Sequence, residues 1–123
     1  MAKKIKIVIG DVEVLAELND SETASAIWKK LPLEAKGEFW GDEIFFNVGL
    51  AMDSEDPRET VQEGDLGFWP PGNAFCIFYG PTPTSREGEI RPYSPVNIIG
   101  KVLGDAKVFQ TVKEVSKVRI EKA

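Results

Sequence analysis

The segment FWPPGNAFCIFYGPTP, which runs from Phe68 to Pro83, is the stretch that decides the fold. Its apolar run from Phe75 to Tyr79 is continuous, which predicts a strand buried on both faces, as inside a closed or heavily packed sheet. Pro70 and Pro71 fix their own φ and donate no ladder hydrogen bonds, so PPGN predicts a rigid turn between GDLGFW and AFCIFYG. The GPTP that follows predicts a second stiff segment at the rim. A cis Trp69–Pro70 bond is conceivable after an aromatic residue, although trans is the default.

Patterns on either side of this segment predict further strands and one clear helix. Isoleucines alternate from Ile5 to Ile9, and after Gly10-Asp11 the alternation resumes in VEVLAEL, which predicts a hairpin. In NDSETASAIWKKLP, Asp20 or Ser21 can cap a helix whose apolar residues recur at helical spacing until Pro32 ends it. Further strands are predicted for Leu33 to Phe39, Ile44 to Val48, GDLGFW, VNIIGKV and SKVRIE, with a short helix or strand from Val108 to Val112.

The predicted elements amount to seven or eight strands and one or two helices in a single domain over residues 1–123. A chain of 123 residues with 42% hydrophobic and 28% charged residues is the right size and composition for one core. An antiparallel barrel capped by helices is the natural architecture, because closure removes exposed sheet edges.

Charge and composition argue against several classes of partner. The net charge is −5 and the terminal lysines are not interleaved with aromatic residues, which argues against nucleic-acid binding. The acidic segment from Met52 to Gly64 reads as a surface loop, and it lacks the glycine and distal glutamate of a calcium-binding EF-hand loop, so no metal site is predicted. The N-terminus has no signal-peptide apolar region and no membrane span, which predicts a cytoplasmic protein without a membrane partner. A scarcity of asparagine, glutamine, cysteine and methionine hints at a thermophilic source.

The chain contains no histidine, which removes Ser-His-Asp and Cys-His catalysis and the usual zinc ligand sets. The glycines spell neither GxGxxG nor GxxxxGK, so no phosphate-cradling loop and no cofactor are predicted. The single cysteine, Cys76, lies in an apolar run and is most simply a small buried hydrophobe. The sequence therefore offers little support for an enzyme of these classes.

Aromatic residues are concentrated between Phe39 and Tyr79, where nine of the twelve lie. One interpretation is that they only fill the core. The other is a concave apolar pocket bordered by a few polar groups, as in small-ligand and peptide sites. The carboxylate of Glu43 could face either the pocket or water. Water is favoured, because an unpaired buried charge is costly. The candidate ligand-binding residues are Trp40, Glu43, Phe45, Asn47, Phe68, Phe75, Phe78 and Tyr93, with Arg91 as a weak catalytic candidate.

The order of these elements, together with GDLGFWPPG, FYGPTP and NIIGKV, resembles the cyclophilin-like proteins. More closely, it resembles a small atypical prokaryotic branch of the cyclophilin fold. The resemblance covers essentially the whole chain. It implies a mainly β fold, a closed antiparallel cyclophilin-like barrel capped by one or two helices.

The same resemblance bears on activity. In cyclophilins a strand after the first helix carries a phenylalanine-histidine-arginine motif, and the corresponding EIFFN, Glu43 to Asn47, lacks the arginine. The family's apolar strand corresponds to Phe75 to Tyr79, and its later glycine-lysine-valine corresponds to Gly100, Lys101 and Val102. The active-site tryptophan and histidine have no match in TPTSREGEIRPYSP. The resemblance therefore implies a pocket for a proline ring without the usual isomerase residues.

Three hypotheses follow. The first is a binding module that holds a small molecule or a proline-containing peptide in an aromatic pocket. The second is a peptidyl-prolyl isomerase with a rearranged donor, for which Arg91 is the candidate. The third is an interaction protein whose exposed aromatic residues form an interface, so the expected state is a monomer or a weak homodimer.

Overall fold

The computed structural model describes residues 3–123 and shows a mainly β domain, which confirms the predicted fold class. One α-helix, α1 (Glu22–Lys30), follows the second strand, and 3-10 helices lie at Pro70–Gly72 and Ala106–Thr111. No helix in this part of the chain is long and apolar enough to cross a bilayer. The strands are β1 (Lys3–Ile9), β2 (Val12–Leu18), β3 (Leu33–Ala35), β4 (Glu38–Phe39), β5 (Glu43–Asn47), β6 (Asp65–Trp69), β7 (Ala74–Phe78), β8 (Asn97–Val102) and β9 (Val118–Lys122).

The strands form one antiparallel sheet in the order β3-β9-β1-β2-β8-β6-β7-β5-β4. The two end strands, β3 and β4, follow each other directly in the chain, so the sheet curls round until its ends meet. Within residues 3–123 no ladder joins β3 to β4, and the barrel is therefore slightly open at this point rather than fully closed.

This opening corrects the prediction of one strand from Leu33 to Phe39. The amide of Gly37 donates to the carbonyl of Val115 at 2.8 Å instead of to a neighbouring strand. A Cβ at Gly37 would lie 3.1 Å from a side-chain atom of Val115, so the backbone passes close to that residue. The predicted strand is therefore split in two, and its halves lie at opposite ends of the sheet.

Strand β7 separates two apolar clusters, as its continuous apolar sequence predicted. All five of its residues are buried. Phe75 and Ile77 point into the main core, where Phe75 stacks on Phe46 of β5 with ring centroids 5.1 Å apart. Cys76 and Phe78 point the opposite way, into a smaller cluster under the loop that follows β7. The smaller cluster creates a second face on which a site can be built.

The helix and the acidic loop pack together at one end of the barrel. Ser21 caps α1, and its hydroxyl accepts from the Ala24 amide at 3.1 Å. The Glu55 carboxylate also accepts at this end, from the amides of Glu22 and Thr23 at 2.9 Å each. These bonds tie the loop from Met52 to Gly64 to the first turn of the helix.

The proline turn lies between β6 and β7, where the sequence predicted it. Pro70–Gly72 forms a 3-10 turn that ends at Asn73, which has a left-handed backbone with φ 49°. The Trp69–Pro70 bond is trans, and the one cis bond in residues 3–123 is Leu31–Pro32. The turn connects the end of β6, where Trp69 lies, to the start of β7.

Candidate functional site

A cavity of about 170 Å³ opens on the face of β5, β6 and β7 that is turned away from the main core. The side chains on this face alternate with those of the main core. On this face Phe45 of β5 is paired with Cys76 of β7, and Trp69 of β6 is paired with Ala74 of β7. The loop that follows β7 supplies the outer wall. The lining residues are Trp40, Glu43, Phe45, Trp69, Cys76, Pro92, Tyr93 and Val96.

Three aromatic rings form the mouth of the cavity. Tyr93 lies between two tryptophans, with its ring centroid 5.9 Å from the ring of Trp40 and 5.9 Å from the ring of Trp69. The ring planes cross at 67° and 84°, so the rings meet edge to face and do not stack into one slab. Tyr93 is 72% exposed, which places it on the outer wall. The arrangement is a box of ring faces and edges that opens to solvent.

The loop that carries Pro92 and Tyr93 is fixed by a small hydroxyl network. The Ser85 hydroxyl accepts from the amides of Thr82 and Arg91, at 2.9 Å each. The Thr82 hydroxyl donates to the carbonyl of Arg91. Beyond the network, the indole N–H of Trp69 donates to the hydroxyl of Ser94 at 2.6 Å. Both flanks of Tyr93 are therefore held.

The GPTP segment, Gly80 to Pro83, packs against the turn that carries Trp40. Gly41 has φ +61°, and a Cβ there would lie 2.8 Å from the Cδ of Pro83. The amide of Asp42 donates to the carbonyl of Pro81 at 2.9 Å. The turn that carries Trp40 is therefore packed against the two prolines, which agrees with the stiff rim that the sequence predicted.

Glu43 contributes a carboxyl group to the otherwise apolar lining. Only 6% of its surface is exposed, so the favoured orientation toward water was wrong. Burial raises its pKa from 4.5 to about 7, because the charged form loses hydration. No lysine or arginine lines the cavity. At neutral pH the carboxyl is therefore close to its pKa, and no cation of the described chain neutralises the ionised form.

The neighbouring thiol of Cys76 opposes the effect of burial and lowers the pKa of Glu43. Its sulfur also lies 3.7 Å from the carbonyl oxygen of Ala74. A thiol has one proton and can donate to only one of these acceptors at a time. Burial, and then the neighbouring carboxyl, raise the pKa of Cys76 well above its ordinary value, so it stays protonated and is a poor nucleophile.

The structure places the predicted site residues in three different environments. Trp40, Glu43, Phe45 and Tyr93 come together in the cavity lining. Asn47 is exposed at the end of β5, where its side chain donates to the carbonyl of Gly72 and accepts from the amide of Gly49. The third group, Phe68, Phe75 and Phe78, is fully buried in the two apolar clusters and does not line the cavity.

Four lining residues were not among the sequence candidates. Trp69 and Cys76 could have been found from strand parity, because they lie on the same sheet face as Phe45 once β5, β7 and β6 are aligned. Pro92 and Val96 come from an irregular loop and its end, where no periodicity indicates which side chain turns inward.

Arg91 lies in the same loop but does not line the cavity. Its guanidinium donates to the Glu89 carboxylate, from Nε at 2.6 Å and from Nη2 at 3.2 Å. This ion pair raises the pKa of Arg91 and lowers that of Glu89. Within residues 3–123, no group of three or more His, Cys, Asp or Glu side chains is arranged to hold a metal ion.

Comparison with known proteins shows which family has this architecture. The family model described as cyclophilin-like matches residues 3–121. The solution structure of the hypothetical protein AF2241 from Archaeoglobus fulgidus is similar, with a TM-score of 0.83 and 34% sequence identity over 99% of this chain and 95% of that one. No curated protein sequence shows significant similarity. The chain belongs to the cyclophilin-like family.

Proposed function

We propose that this cyclophilin-like domain is a binding module that takes a small molecule, or one group of a proline-containing peptide, into the aromatic cavity and does no chemistry on it. The observation that carries the proposal is the box of Trp40, Trp69 and Tyr93. Three large rings are kept partly open to solvent around a concavity. A fold that only needed stability would gain more by burying them.

The size of the cavity limits what can enter. Drug-sized ligands occupy roughly 300–1,000 Å³, whereas an apolar cavity of about 150 Å³ holds one benzene molecule. A cavity of about 170 Å³ therefore suits one compact group, such as a proline ring or a branched head group. The remainder of a larger ligand would lie over the exposed face of Tyr93.

The isomerase hypothesis has less support from the geometry. Lowering the barrier to X-Pro rotation requires a hydrogen-bond donor aimed at the prolyl nitrogen, because that bond breaks the amide conjugation. Arg91 is the sequence candidate, and its guanidinium is engaged with Glu89 outside the cavity lining. A pocket without such a donor binds the ground state and the twisted state about equally, which gives binding with little acceleration.

The three tryptophans give a direct test. Trp40 and Trp69 line the cavity, whereas Trp28 lies on α1 with the Lys122 ammonium 4.6 Å from its ring, and serves as an internal reference. We would follow the three indole N–H resonances while adding N-acetylproline methylamide, choline or dimethylbutanol, the neutral alcohol with carbon in place of the choline nitrogen. Saturable shifts at Trp40 and Trp69 without a shift at Trp28 support a binding module. Absence of such shifts with all three probes overturns it.

A further inference from the structure

We propose that the group recognised by the cavity is a small organic cation with an alkylated ammonium head, held by the aromatic box and by the Glu43 carboxylate. This inference rests on the proposed function and specifies its ligand class. The juxtaposition that carries it is a nearly buried carboxyl group, without a basic partner, in a cavity whose mouth consists of three aromatic rings.

The rings supply the first part of the recognition. The face of an aromatic ring is electronegative, and a cation within about 6 Å of the ring centroid is attracted to it, most strongly by tryptophan. Trp40 and Trp69 both stand at steep angles to Tyr93 and all three line the same cavity, so the rings do not present one flat platform. Enclosure by several rings suits an ammonium whose methyl groups cover its charge on all sides.

The carboxyl group supplies the second part. A buried carboxylate normally has a cationic partner or several hydrogen-bond donors, because charge is costly to remove from water. Glu43 has only the neighbouring Cys76 thiol, which donates to the carbonyl of Ala74, and no lysine or arginine is among the side chains around the cavity. The other titratable groups in the lining are Cys76 and Tyr93. The missing positive charge is the one that a cationic ligand would supply.

A neutral ligand fits this environment less well. An apolar group that filled the cavity would strip the remaining water from Glu43 and give nothing in return, so it would favour the protonated acid. A ligand with a carbonyl oxygen could accept from that acid, and its binding would weaken as the carboxyl ionises. An alkylated ammonium instead favours the carboxylate and binds better as the pH rises. The direction of the pH dependence therefore separates the two kinds of ligand.

The experiment compares choline with dimethylbutanol, which has nearly the same shape and no charge. Both are titrated into the full chain at about pH 6 and about pH 8, on either side of the Glu43 pKa, with the indole N–H resonances as readout. If the cation binds only the carboxylate form, choline affinity rises roughly tenfold between the two pH values. Dimethylbutanol should bind more weakly than choline at the higher pH, and its affinity should not rise.

Two variants with the same change in charge provide the controls. Glu43→Gln should abolish both the preference for choline and its pH dependence. Glu13→Gln alters an exposed carboxylate on β2, which is not one of the strands that form the cavity face, and should change neither. Equal binding of the two probes at both pH values would overturn the cation inference and leave the binding module standing. Tighter binding of choline at the lower pH would also overturn the cation inference. If choline, dimethylbutanol and N-acetylproline methylamide all fail to shift the indole resonances, the proposed function itself is overturned.

Discussion

The indole nitrogen of Trp69 and the hydroxyl of Ser94 are joined by a hydrogen bond of 2.6 Å between the end of β6 and the loop that carries Tyr93. Trp69 directly precedes the proline turn, whereas Tyr93 is 72% exposed on the loop that Ser94 continues. The bond therefore holds the outer wall of the cavity to the end of β6, next to the proline turn. It explains how an exposed tyrosine keeps a defined distance from two tryptophans.

We expect Ser94→Ala to loosen the outer wall more than it destabilises the fold. Loss of one partly exposed hydrogen bond costs about 1 kcal/mol or less, because water can replace the hydroxyl as acceptor. Binding of any probe that occupies the cavity should weaken several-fold, because Tyr93 must then be ordered by the ligand. Urea denaturation and titrations followed through the Trp69 indole resonance measure the two effects. Ser54→Ala, at an exposed serine in the acidic loop, is the control, and equal losses of affinity in both variants would contradict this role for the bond.

The buried carboxyl of Glu43 should make the fold less stable as the pH rises. Its pKa in the folded state, about 7, is above the ordinary 4.5, so the native state binds the proton more tightly than the unfolded state. Stability is therefore highest below pH 4.5 as far as this group is concerned, and it falls between about 4.5 and 7 as the unfolded chain releases its proton first. The shift corresponds to a loss of roughly 3 kcal/mol at most.

Glu43→Gln should remove this loss. Relative to the wild type, the free energy of unfolding of the variant should rise by about 1–3 kcal/mol between about pH 5 and about pH 8. Urea denaturation at the two pH values measures it, with Glu38→Gln as the matched change of charge. A wild type and a Glu43→Gln variant with parallel pH profiles would show that the carboxyl is not buried as described.

The carboxylate of Glu55 should have the opposite pH dependence. Hydrogen bonds from the amide of Thr23, the amide of Glu22 and the Thr23 hydroxyl lower its pKa, and they stabilise the first turn of α1 as a helix cap does. This contribution is complete above the unfolded pKa of 4.5 and is lost as the pH falls through the lower pKa of the folded state. We expect Glu55→Gln to cost about 1 kcal/mol at neutral pH. Thermal unfolding of this variant and of Glu59→Gln, an exposed neighbour in the same loop, measures the cap, and an equal effect of the two substitutions would argue against it.

The fold could be predicted from the sequence because its signals are local and strong. The two-sided burial of β7, a helix cap at Asp20 or Ser21 and the proline turn each follow from a few neighbouring residues, and the structure confirms them with Ser21 as the cap. The split between β3 and β4 could not be predicted, because it depends on Gly37 approaching Val115, which lies far away in the chain. Local patterns do not contain such contacts.

The candidate site was predicted less completely for a related reason. Aromatic density located the region but could not separate the rings of the main core, such as Phe75, from the rings of the opposite face, such as Phe45. That choice depends on which residue of β5 pairs with which residue of β7, and the register is a property of the whole sheet. Glu43 illustrates the limit, because a carboxyl at a strand start is normally solvated and only the later loop covers it.

The remaining question of activity can be answered with peptides and three forms of the protein. We expect the wild type to leave cis-to-trans relaxation of X-Pro peptides at its uncatalysed rate, because the barrier of about 20 kcal/mol falls only when a donor reaches the prolyl nitrogen. Arg91 is the candidate donor from the sequence, and Glu89 holds its guanidinium with two hydrogen bonds. Arg91→Ala should therefore behave like the wild type. Glu89→Gln releases the guanidinium and is the sharper probe, since a rate enhancement in this variant alone would show that the ion pair suppresses a latent activity. Acceleration by the wild type that Arg91→Ala abolishes would instead establish a relocated isomerase donor and replace the binding module as the function of the fold.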